Sequence, residues 1–195
     1  MSEIDLKASS QAIDILVVID TEYVKNYWNK STPARTPSQK WQEPTGLDHI
    51  NKFMICTGSR GIISGQGTGD LHFRANVKDS VRFNGTSVYG NADDAVIVYQ
   101  IKPILIPGVS INVFNKFIVN DYTLTGAAQP NSKSEWDNGL PALHVPEDFQ
   151  TFEATVAQSG TEFFGLSFAL YTLADDGQRQ DLYGYFWWDP HITVA

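Results

Sequence analysis

Apolar and polar residues alternate with a period of two along much of this chain. Leu71, Phe73, Ala75 and Val77 interleave with His72, Arg74, Asn76 and Lys78, the pattern of a strand with one buried face. The same pattern predicts a strand over His49–Thr57, with Phe53, Ile55 and Thr57 on one face and Met54 and Cys56 on the other. It predicts further strands over Ala95–Ile101, Phe149–Val156, Phe163–Leu173 and Leu182–Trp188. Val109–Val119 reads as another strand, with a slip of parity near Asn115 that suits a bulge. Ala12–Asp20 is apolar on both faces in its middle. A central strand and a short buried helix both fit it, and its β-branched content favours the strand. Thr21–Trp28 either continues that strand or forms a helical turn. Asn84-Gly85 suits the two positive-φ positions of a type I′ hairpin turn, and Asn91–Asp94 mark a second turn.

Together these segments predict an all-β, single-domain antiparallel β-sandwich, jelly-roll or Ig-like, of about eight to ten strands. Two long loops interrupt it, 29–46 and 125–148, each holding three prolines. Residues 1–11 read as a flexible N-terminal arm and 12–195 as the domain.

Length and charge narrow the classes. A chain of 195 residues fits one domain. A formal net charge of -8 repels phosphate backbones and anionic lipid, so no nucleic-acid partner and no membrane insertion are expected. The polar start MSEIDLKASSQ has no apolar core of a signal peptide, which predicts a cytoplasmic protein. The lone Cys56 sits in the apolar run FMIC and reads as a buried small hydrophobe.

Candidate chemistry is sparse. The glycines of GSRGIISGQGTGD lack the Lys-Ser/Thr ending of a phosphate loop and serve turns. Asn91, Asp93 and Asp94, with Asp70, offer oxygens to calcium but lack the spacing of a calcium loop. The four histidines, at 49, 72, 144 and 191, show no ligand-like pairing. No catalytic residue, metal or cofactor is expected. Asp20, Asp70 and Asp189 each sit at a strand end and read as structural turn caps. Trp41, Trp136 and His144 lie on the long loops. They either pin those loops or form a binding set for a glycan or small ligand, as in a lectin-like sandwich. The closing strand puts Tyr183, Tyr185 and Trp187 on one face and Phe186 and Trp188 on the other. With one face in the core, Trp188 is expected at an interface and the chain as a homodimer or higher oligomer. The competing account folds loop 125–148 over that face.

GTGDL at 67–71, KDSVRF at 78–83 and the SVYGNADDAVIVYQI run that follows resemble the AidA/PixA family of bacterial inclusion-body proteins. ILVVIDTEYV at 15–24, Thr45-Gly46, SGTEFFGLSFALYTL and GYFWWDPHITV at 184–194 extend the resemblance over nearly the whole chain. It implies a self-associating, non-enzymatic protein found in intracellular inclusions or made under quorum-sensing control. A storage member of that kind would be rich in methionine, and this chain has two.

Overall fold

In the computed structural model, which describes residues 9–29 and 33–194, Ile13, Ile15, Val17 and Ile19 all turn to the same side of strand β1 (Ala12–Ile19) and are buried. The expected N-terminal arm lies outside the described residues except at 9–11. A short helix α1 (Thr21–Tyr27) follows β1, capped by Asp20, whose carboxylate accepts from the Tyr23 N–H at 3.0 Å. Eleven more strands follow among the described residues: β2 (Thr45–Gly46), β3 (Lys52–Thr57), β4 (Ile62–Ser64), β5 (His72–Ala75), β6 (Ser80–Ser87), β7 (Asp94–Ile104), β8 (Ile118–Gln129), β9 (Leu143–Thr155), β10 (Gly160–Leu173), β11 (Gln180–Trp188) and β12 (His191–Val194).

These strands form two compact units. The larger unit comprises the described residues up to Ile118 and from Phe152 onward, and the smaller is Val119–Thr151. In the larger unit one sheet runs β3-β1-β6-β9. The other runs β2-β11-β10-β12-β5-β4, with β7 on the free side of β10. The two inner faces meet. Phe83 of β6 lies 5.9 Å from Phe164 of β10, ring centroid to centroid, and Phe168 stacks on Phe186 beneath Trp188. Each of these side chains is essentially buried, which stabilises by about 1.5–3 kcal/mol apiece. The smaller unit is a hairpin of paired β8 and β9, with Tyr122 stacked on Phe149.

The all-β sandwich is as expected, and the strand directions are not. The sheets are mixed: β1 pairs in parallel with β6, β12 with β5 and β11 with β2. β1 is central in its sheet yet covered on one face, since Leu16 on its other face is 39% exposed. Asn84-Gly85 makes no turn. Both residues lie inside β6, because β1 pairs with it as far as Ser87. Glycine is needed there for close approach, as a Cβ at Gly85 would meet the Val98 side chain at 2.9 Å. The turn comes after Ser87 and carries the chain from one sheet to the other, and there Asn91 at φ 62 accepts from the N–H groups of Ser87 and Val96. Residues 109–117 form isolated bridges rather than a strand. Much of the expected loop 125–148 is strand, in β8 and β9.

Candidate functional site

Three loops converge on His49. It precedes β3, Asp70 precedes β5, and Asp189 separates β11 from β12. His49 Nδ1 meets an oxygen of Asp70, and its Nε2 lies 2.9 Å from Oδ1 of Asp189. A neutral imidazole has one N–H and one acceptor nitrogen, so it serves one carboxylate and turns a lone pair on the other. The doubly protonated ring donates to both. With both nitrogens engaged, His49 ties the loops of Asp70 and Asp189 together. The same loop is held from the core, where the Trp188 indole N–H donates to the Gly69 carbonyl at 3.0 Å.

A second cluster adjoins α1. Lys52 is 1% exposed, and its ammonium donates to Asp48 at 3.1 Å and to the Ile50 carbonyl at 2.7 Å. Burial pulls the Lys52 pKa below the ordinary lysine value, against the opposing pull of Asp48. Tyr23 donates to the other Asp48 oxygen at 2.8 Å, and Asn51 donates to Asp20 at 3.1 Å. A third group, Glu162 on the inner face of β10, is 1% exposed and accepts from the Val113 N–H at 2.6 Å. Burial raises its pKa from the ordinary 4.5 to about 7, although the N–H groups of Val113 and Phe114 pull the other way. Among the described residues, no three His, Cys, Asp or Glu side chains gather as a metal-holding group. Asp94, weighed for calcium, instead accepts from Thr21 at 2.6 Å and pairs with Lys25 at 2.7 Å.

The expected ligand-binding residues fall in different units. Trp41 is 49% exposed in the larger one, with its ring edge-on to Tyr99. Trp136 and His144 belong to the hairpin unit, where Trp136 is 70% exposed and His144 faces the Gly126 carbonyl at 3.2 Å. Trp188 is a correction. It is 1% exposed and belongs to the core, so it forms no interface. The outward face of β11 carries Tyr185 and Trp187, while Tyr183 sits at a bulge, packs against the core and donates its hydroxyl to the Trp28 carbonyl. The segment after Thr36 runs along the free edge of this strand, with Ser38 bridged to Tyr185 and Gln39 donating to the Tyr183 carbonyl at 2.8 Å. Cys56 is buried, and burial pushes its thiol up to about 11.

Three buried or engaged groups were missed from the sequence: His49, Lys52 and Glu162. Parity held a signal for two of them. Lys52 continues the inward face of Met54 and Cys56, and Glu162 continues that of Phe164, Leu166 and Phe168. His49 carried none, since Asp70 and Asp189 stand 21 and 140 residues away.

The architecture is thus a mixed two-sheet β-protein, and its histidine–dicarboxylate cluster serves as a loop clasp. The segments ILVVIDTEYV, GTGDL and GYFWWDP contribute Asp20, Asp70 and Asp189 to these clusters. The chain belongs to the PixA family, described as inclusion body protein, whose profile matches residues 11–194. It is similar to the crystal structure of the inclusion body protein (PixA) from Burkholderia cenocepacia J2315. That match has 31% identity, covers 97% of this chain and 99% of that one, and has a TM-score of 0.71. No curated protein matches this chain.

Proposed function

We propose that this protein is a non-catalytic inclusion-body protein whose copies associate through the hairpin Val119–Thr151. The observation that carries this reading is the hairpin's surface. Val119, Tyr122, Leu124, Trp136, Leu140, Leu143 and Val145 are each 37–70% exposed, along both strands and at the tip. A two-stranded hairpin is marginal in water without a third layer against it, and apolar residues this dense mark a contact site. The partner is a second copy of the chain, as expected of a family whose members are named for inclusions. Trp188 plays no part in the contact. The homodimer or higher assembly expected from the sequence keeps its place with a different surface.

Hydroxyl-radical footprinting at dilute and concentrated protein tests this reading. Oxidation of Tyr122, Trp136 and Leu143 should fall as concentration rises, while Trp41 stays as reactive as before. Uniform reactivity in the hairpin at all concentrations would overturn it.

A further inference from the structure

Trp187 stands on the outer face of β11 between two glycines, Gly165 on β10 and Gly46 on β2. A Cβ at Gly165 would come 3.0 Å from Cε3 of the indole, and one at Gly46 would come 3.4 Å from its Nε1. With no side chain on either flank, the indole lies down across the sheet. Its six-membered ring points toward β10 and its N–H edge toward β2, so one ring face is turned outward. That face walls a cleft of about 370 Å³, within the size range of small-ligand sites.

Beyond the indole, Pro44, Pro103 and Ile104 add apolar wall, and a few side chains supply the polar groups. Gln100 and Lys102 of β7 pair across from Ser167 and Gly165, which sets them on this outer face. A bulge at Tyr99 sends that ring outward as well, against Tyr185 and Trp41. Gln42 and Pro44 close the other side. The side chains of Gln42, Gln100 and Lys102 make no hydrogen bond or ion pair with any described residue. No carboxylate lines the cleft, although the chain carries a net charge of -8.

We propose that this cleft binds one pyranose ring of a glycan. The apolar C–H face of the sugar stacks on the Trp187 indole, and vicinal hydroxyls pair with the amides of Gln42 and Gln100 and the ammonium of Lys102. A purely apolar ligand would strip water from three polar side chains and return no hydrogen bonds. A bare inorganic anion would engage Lys102 and leave the indole and Pro44 unused. A sugar ring satisfies both halves of the lining. The site is separate from Trp136 and His144, and it stands whether or not the hairpin joins copies.

The experiment is saturation-transfer NMR of the full chain with a panel of methyl pyranosides, backed by a glycan array. At least one pyranoside should bind saturably, and Trp187→Ala should weaken it about tenfold or more, the equivalent of about 1.4 kcal/mol. The double variant Gln42→Ala/Lys102→Ala, at exposed positions, should weaken it as well and decides the matter if Trp187→Ala does not fold. Trp136→Ala should leave binding unchanged. The proposal is overturned if no pyranoside and no arrayed glycan binds. It is equally overturned if binding survives the cleft variants, or is lost with Trp136→Ala alone.

Discussion

Glu162→Gln should flatten the pH dependence of stability. The buried Glu162 carboxyl titrates at about 7 in the folded chain against an ordinary 4.5. Between those values the folded state holds a proton that the unfolded state has released, so stability falls as pH rises. The contribution is fully present below pH 4.5 and is lost through pH 7. At about 1.4 kcal/mol per pH unit the whole swing is about 3 kcal/mol. Glutamine stays neutral throughout and keeps one oxygen for the Val113 N–H, but it loses the second acceptor oxygen, at about 1 kcal/mol. The variant should therefore be about 2 kcal/mol more stable than the parent at pH 8, and slightly less stable at pH 4.5. Urea unfolding of both chains at half-unit steps from pH 4.5 to 8 reads the difference directly, since every other titrating group is common to both. Parallel curves, with a constant gap at all pH values, would refute the assignment of a proton to buried Glu162.

Two further substitutions follow from the packing and the clasp. Trp188→Ala should cost about 3–5 kcal/mol, because it opens a cavity against Phe168 and orphans the Gly69 carbonyl; a loss under 1 kcal/mol in chemical denaturation would contradict its place in the core. Asp189→Ala should lower the melting temperature by a few degrees in the parent and by much less in a His49→Ala background. Equal losses in both backgrounds would show that Asp189 acts apart from His49.

Strand periodicity was the legible part of this fold. The parity of β3, and of β11 from Tyr185 to Trp188, is as read from alternation, because each strand has one face against the opposite sheet; a bulge at Tyr183 breaks it in the rest of β11. Which face of β11 turns inward was not legible, since both carry large aromatics. The pairing with β10 decides it, since Phe186 and Trp188 stand opposite the inward Phe168 and Leu166. Asn84-Gly85 misled because a local turn preference yielded to parallel pairing with β1 and to the close approach of Val98. The prolines at 130, 141 and 146 disguised the hairpin as a loop, although Pro146 lies within β9 and the other two outside the strands. Of the candidate sites, the three aspartates were legible as strand-end groups. The partner that unites two of them was not, because His49 reaches them only through the fold.

Sedimentation velocity of the parent chain beside a Leu124→Lys/Leu143→Lys variant tests the central claim most directly. Both positions are about half exposed on the hairpin, so the variant should keep the parent's far-UV spectrum and melting temperature. The parent should sediment as a species heavier than 21.7 kDa at micromolar concentration and grow heavier as concentration rises, while the variant stays at the monomer mass. A parent that remains monomeric at high micromolar concentration, or a variant that associates as strongly as the parent, would contradict assembly through the hairpin.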